Sequence, residues 1–166
     1  EIFSERGLKL TPETLARILS SKEEKFKKSV CRRFIRGSRP FIHLLKIKGF
    51  MLALVTGTAR NEVKKILPKK LSSMFDVSIT GDEVKHGKPD PEPYLLALKR
   101  LKIKAKDAIV LENAPFGILS AKSAGLRCIA LETSLPKRYL QKADYVYSSY
   151  KSLVNSLELA PKTSGI

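Results

Sequence analysis

Between Ala108 and Gly125 the chain reads AIVLENAPFGILSAKSAG, and this stretch limits the possible folds more than any other. Four apolar residues, Ala108 to Leu111, run without a polar break into Glu112 and Asn113. A short turn at Ala114 and Pro115 follows, then a helical pattern that ends at Gly125. An unbroken apolar run of strand length is what a strand covered on both faces requires, so the segment predicts a buried parallel strand, a polar loop and a packed helix. In open α/β sheets ligands bind beyond the carboxyl ends of the strands, which is where Glu112 and Asn113 stand. An acid beside an amide offers the oxygen donors that suit Mg2+, with water and substrate oxygens completing its shell. A plainer reading is that the two residues only close the strand and cap the helix.

The rest of the chain repeats the unit. Phe41, Leu44, Leu45 and Ile47 suggest a helix that stops at Gly49, and Phe50 to Val55 is an apolar run of strand length. Thr56 closes that run, Gly57 lets backbone approach a ligand, and Thr58 is placed to cap a helix over Asn61 to Leu67. A hydroxyl beside the N–H groups of a helix start makes a cradle for phosphate. Phe75 to Thr80 predicts a further strand, and Asp90 with Pro91 opens a helix whose Tyr94, Leu98 and Leu101 form a core stripe. Strands are also expected at Arg127 to Leu131 and Tyr145 to Tyr147, and a last helix over Tyr150 to Leu159. Alternation of this kind from residue 41 onward calls for a parallel sheet with helices on both faces.

Between Gly87 and Pro89 lies Lys88, in the loop GDEVKHGKPDPEPY. A lysine held beside the carboxyl edge of a sheet can hold a phosphoryl oxygen as a point charge. The loop is not a nucleotide-binding P-loop. Five residues separate Gly81 from Gly87 where that motif has four, and proline follows the lysine where Ser or Thr should be. His43 has no partner at metal-ligand spacing and reads as structural.

Upstream, Thr11, Pro12 and Glu13 form a helix start, with the helix expected to reach about Ser20. A second is expected over about Lys22 to Ile35, where Phe26, Val30 and Phe34 share a face and Lys22, Lys25, Lys28, Arg32 and Arg36 occupy others. Residues 1–37 therefore predict a small helical module, and Gly37, Ser38, Arg39 and Pro40 break the pattern before residues 38–166.

The formal net charge of +16 favours anionic partners. The lysines are spread over the whole chain with interspersed glutamates, and no aromatic-interleaved stripe accompanies them, so a solvated surface is expected and no specific nucleic acid. Cys31 and Cys128 are far apart, which suits thiols in a reducing compartment and a cytoplasmic location. No apolar run approaches bilayer length and no signal peptide is visible, so no membrane partner is expected.

Taken in order, LALVTGT, VKHGKPDPEPY and IVLENAPFGILSAKSAG closely resemble the second, third and fourth motifs of the haloacid dehalogenase superfamily of phosphohydrolases. The resemblance is to the branch of β-phosphoglucomutase and phosphoglycolate phosphatase, and it covers about residues 38 to 150. It implies a Rossmann-like three-layer sandwich with a parallel sheet, residues 1–37 being part of a helical cap. By this resemblance Thr56 hydrogen-bonds the transferring phosphoryl group, Gly57 lies against it, Lys88 neutralises its charge, and Glu112 and Asn113 hold Mg2+ directly or through water. Many members carry aspartate at the position of Asn113.

The family's first motif, a strand ending in Asp-x-Asp, occurs nowhere in these 166 residues. Asp76, Asp82, Asp90, Asp107 and Asp144 stand in other contexts. By resemblance that strand belongs in the middle of the sheet, between the strands ending at Thr56 and Glu112. The expectation is a Mg2+-dependent phosphatase or phosphomutase of a small phosphorylated metabolite in its intact form, with these residues alone inactive. A non-catalytic binding module with a basic surface is the alternative. A receiver domain would need an early acidic pair and an aspartate where the Thr56 strand ends, and has neither.

Overall fold

The computed structural model of the chain describes residues 34–158 continuously, with Thr11, Glu13, Thr14, Arg17, Ile18, Ser20 and Ser21 before them. Two compact units divide at Arg33 and Phe34. In the first, Glu13, Thr14, Arg17, Ile18, Ser20 and Ser21 are helical, and the Thr11 hydroxyl accepts the Thr14 N–H at 3.2 Å. Thr11 therefore caps this helix as its sequence requires. Most of the helix expected over 22–35, and Cys31, lie outside the described residues.

The second unit alternates helix and strand. In order these are α1 (Ser38–Ile47), β1 (Ala53–Val55), α2 (Arg60–Ile66), α3 (Lys69–Ser72), β2 (Val77–Ile79) and α4 (Glu92–Leu101). There follow β3 (Ile109–Glu112), α5 (Pro115–Ser123), β4 (Arg127–Leu131), β5 (Tyr145–Tyr147) and α6 (Tyr150–Glu158). Every pairing is parallel. Strand order is β1-β2 in one sheet and β3-β4-β5 in another. The parallel sheet lacks its middle, as the missing Asp-x-Asp strand implies: among the described residues β1 and β3 are not paired with each other. No described helix is long and apolar enough to cross a membrane.

Period-two alternation along β4 builds the layers. Cys128 and Ala130 join one buried cluster with Tyr94 of α4, Ile118 and Ala121 of α5, and Val110 of β3. Ile129 and Leu131 point the other way, to Phe41 of α1 and Leu153 of α6. Helices thus cover both faces of the three-stranded sheet, which is why β4 carries almost no polar residue.

Several boundaries differ from expectation. The apolar run Phe50 to Val55 contributes only Ala53–Val55 to a strand, because β2 offers just three partners, and Phe50 and Met51 stay exposed. Strand length follows the available partner, not the apolar run. Ile47 is 82% exposed. It lies two positions after Leu45, roughly 200° around the helix, and so falls on the outer face.

Candidate active site

Lys88 owes its position to a loop whose polar groups are satisfied internally. The Glu92 carboxylate accepts the N–H groups of Lys85 and His86 at 2.9 and 2.8 Å. Asp90 Oδ1 accepts the Glu92 N–H at 2.8 Å, and the Asp90 carbonyl accepts the Ser120 hydroxyl of α5 at 2.6 Å. The Lys88–Pro89 peptide is cis. From this frame the Lys88 ammonium reaches three oxygens on three elements: the Val55 carbonyl at the end of β1 (3.1 Å), the Tyr94 hydroxyl of α4 (3.0 Å) and Glu112 Oε1 at the end of β3 (2.5 Å). It bridges the two sheets that no strand pairing joins.

Glu112 ends β3 with its side chain only 8% exposed. Oε1 also accepts the Tyr94 O–H at 2.6 Å, and Oε2 accepts the Asn113 N–H at 3.0 Å. Burial pushes this carboxyl up, but the Lys88 charge and the hydrogen bonds outweigh it and hold it below the usual carboxylate range. Burial, with the Glu112 charge beside it, raises the Tyr94 phenol well above its ordinary value, so it keeps its proton. Gly117 of α5 packs on the Glu112 carboxylate, where a β-carbon would collide. Neither Glu112 nor Asn113 caps α5, whose N-cap, Ala114, has no side-chain bond, so the plainer capping reading fails. The Asn113 amide nitrogen instead donates to Thr133 Oγ1 (3.1 Å) and Ser134 Oγ (2.7 Å) beyond β4.

At the end of β1 the Thr56 N–H pairs with the Ile79 carbonyl at 3.0 Å, and the Thr56 hydroxyl oxygen accepts the Thr58 N–H at 3.1 Å. Thr58 does not cap a helix. Helix α2 begins at Arg60 behind Ala59, and the Arg60 N–H is taken by Asp82 Oδ1 at 3.1 Å. Of the expected cradle, two backbone donors are therefore already taken, one by Thr56 and one by Asp82. What faces outward is the exposed Gly57, with open space where a β-carbon would stand. Gly57 also packs against Gly81, at which a β-carbon would strike the Gly57 carbonyl.

Behind this turn sits Glu83. It accepts the Thr80 N–H and O–H at 3.0 and 2.8 Å, Arg100 of α4 at 2.7 Å, and Arg60 of α2. Burial opposes ionisation, but the Thr80 and arginine hydrogen bonds hold its carboxyl down to about 2. The network ties the start of α2 to β2 and α4 (see also the Arg60 bond to the Ser78 carbonyl, 3.1 Å).

Lys88 and Glu112 are thus in direct contact, Asn113 is the next residue along, and Thr56 follows the carbonyl that Lys88 grips. Tyr94 is the residue whose part the sequence conceals: its ring fits a core stripe, and only a hydroxyl where phenylalanine would pack equally well hints at more. Thr133 and Ser134 carry no such hint. Glu112 and Asn113 are adjacent hard oxygen donors, which fits a hard cation. Among the described residues there is no group of three or more His, Cys, Asp or Glu that could hold a metal.

Known proteins similar to this chain include phosphatases and solved structures of the same fold. The phosphorylated carbohydrates phosphatase of Thermotoga maritima is 43% identical over 94 residues, 56% of this chain and 44% of that protein. The validoxylamine A 7'-phosphate phosphatase of Streptomyces hygroscopicus subsp. limoneus is 38% identical over 111 residues, 66% of this chain and 52% of that one. The chain spans about half the length of these curated relatives. Among solved structures, CbbY from Rhodobacter sphaeroides in complex with phosphate superposes with a TM-score of 0.70 at 30% identity, covering 91% of this chain and 72% of that one. The family model for haloacid dehalogenase-like hydrolases matches residues 1–131, and the chain belongs to that family.

Proposed function

We propose that this chain supplies the phosphate-binding and metal-holding side of a Mg2+-dependent phosphatase or phosphomutase acting on a small phosphorylated metabolite. The observation that carries this reading is the Lys88 ammonium, bound at once to the end of β1 and to Glu112 at the end of β3. Phosphoryl transfer is mostly positioning and charge stabilisation, and the residues gathered here are of the kinds that provide both. Relatives of this chain are phosphatases of phosphorylated compounds, which narrows the substrate class.

In this reading the Thr56 O–H donates to a phosphoryl oxygen, since its oxygen already accepts from Thr58. The exposed Gly57 lets the substrate lie against the backbone. Lys88 offsets the charge that develops on the transferring group. Asn113 and Glu112 would hold the metal, Asn113 through its carbonyl oxygen and Glu112 through water, because Lys88, Tyr94 and the Asn113 N–H already engage the Glu112 carboxylate. When bound, Mg2+ supplies further charge neutralisation on the phosphoryl oxygens. Among the described residues the carboxylate placed at this rim is Glu112, which Lys88, Tyr94 and the Asn113 N–H engage, so it is not the attacking group in this reading. We infer that these 166 residues alone turn over no phosphate ester, and that activity requires an aspartate-bearing strand between β1 and β3.

The test is hydrolysis of p-nitrophenyl phosphate and a panel of sugar phosphates by the intact protein, with and without magnesium. Lys88→Ala is expected to lower kcat by about 10²- to 10³-fold, in line with loss of one preorganised charge donor. It also strands Glu112 in a buried place, so the comparison is made well below the variant's melting temperature. Undiminished turnover by the variant would remove the proposal's main support.

A further inference from the structure

We infer that Tyr94 is a positioning residue of this site, whose hydroxyl sets the geometry of the Lys88–Glu112 pair; the inference rests on the phosphoryl-transfer reading above. Its ring is anchored in the core with Val110, Ile118 and Cys128, and the residue is 6% exposed. Its hydroxyl donates to Glu112 Oε1 at 2.6 Å and accepts from the Lys88 ammonium at 3.0 Å. The ammonium also stands 4.7 Å from the ring centroid, within cation–π range. One rigid side chain therefore grips both members of the pair.

The consequence follows from counting oxygens. Oε1 of Glu112 receives two strong donors, Lys88 and Tyr94, and is committed to the interior, while Oε2 receives only the Asn113 N–H. A carboxylate held in this way cannot rotate to exchange its oxygens without breaking both bonds. Tyr94 thereby keeps Oε2 as the less engaged oxygen and keeps the ammonium within reach of the Val55 carbonyl. The groups that face Glu112 are Lys88 from the loop, Tyr94 from α4 and Cys128 from β4; α5 faces it with Gly117, which has no side chain. A charged hydrogen-bond acceptor that loses a buried donor loses more than a neutral one, so the hydroxyl matters beyond its size.

The variant is Tyr94→Phe, which preserves the ring and its packing, made in the intact protein. Two readouts are needed, steady-state kinetics and a crystal structure of each protein that reads the positions of the Lys88 and Glu112 side chains. The expected result is a kcat about tenfold lower with KM little changed, an unchanged melting curve apart from a small shift, and a Lys88–Glu112 pair whose side chains move relative to each other. Equal kcat in the two proteins overturns the proposal. Should the intact protein show no turnover at all, the phosphoryl-transfer reading fails and the paired structures alone decide: a Lys88–Glu112 pair that shifts in Tyr94→Phe sustains the positioning role of Tyr94, and an identical pair overturns it.

Discussion

The two halves of the α/β unit are held together by different means. Around β3, β4 and β5 the structure is a conventional apolar core, with Ile118, Ala121, Cys128, Ala130, Leu140 and Leu153 all but excluded from solvent. Around β1 and β2 only Ile79 of the strand residues is buried, and α2 has no buried residue. There the organising centre is a carboxylate, Glu83, gripped by two arginines and Thr80. The lesson concerns what each half offers the site. The apolar half presents Glu112 and Asn113 from a strand that cannot shift without opening the core. The polar half presents Thr56 and Gly57 from a turn whose position depends on hydrogen bonds. Lys88 and α4 join the two, since α4 packs on β1, β2 and α5.

Paired substitutions test this contrast. Ile118→Ala, in the apolar half, is expected to cost about 4 kcal/mol in urea unfolding through lost burial and a cavity. Val63→Ala, on α2, should cost about 1 kcal/mol. Equal costs would erase the distinction. The next effect is electrostatic. Glu83→Gln is expected to lose about 2 kcal/mol at neutral pH, because the arginines keep their charge and lose their acceptor.

The sign of its pH dependence follows from the depressed carboxyl. A group held near 2 when folded and near 4.5 when unfolded contributes fully above 4.5, and that stability is lost as pH falls toward 2. Urea midpoints measured across this window should fall more steeply in the parent protein than in Glu83→Gln. Equal slopes would show that Glu83 does not hold the polar half.

The smallest effect concerns a device that the halves share. Asp76, just before β2, accepts Lys46 of α1 and the Leu52 N–H, while Asp144, just before β5, accepts Lys122 of α5 and the Cys128 N–H. Hydrogen bonds dominate in holding both carboxyls below the usual range: that from Leu52, then Lys46, for Asp76; that from Lys122, then Cys128, for Asp144. Both pairs are about a third exposed, so screening limits each to about 1 kcal/mol. Asp76→Asn and Asp144→Asn should therefore cost similar amounts, even though Ile118→Ala and Val63→Ala do not.

Much of this molecule was open to reading from residues in order. The strand, loop and helix between Ala108 and Gly125, the strands at Arg127–Leu131 and Tyr145–Tyr147, and the helix start at Thr11 all rest on apolar runs, caps and breakers, which act within a few residues of one another. The rim positions of Thr56, Glu112 and Asn113 were legible for the same reason, as each closes or follows an apolar run, and Lys88 was singled out by its place between Gly87 and Pro89. The cap assigned to Thr58 and the strand assigned to Phe50 were not, because each depended on a partner elsewhere. Asp82 takes the N–H that opens α2, and β2 supplies only three residues for pairing.

Sequence by itself determined the order of elements and the chemical types that end each strand, since these are local consequences of side-chain polarity and backbone preference. Tertiary structure alone decided that β1 and β3 stay unpaired, that one ammonium spans the interval between them, and that the hydroxyl of a core tyrosine turns toward a buried carboxylate. Such pairings join residues 18 to 33 positions apart, and no local preference encodes which donor will meet which acceptor once the chain has closed around them.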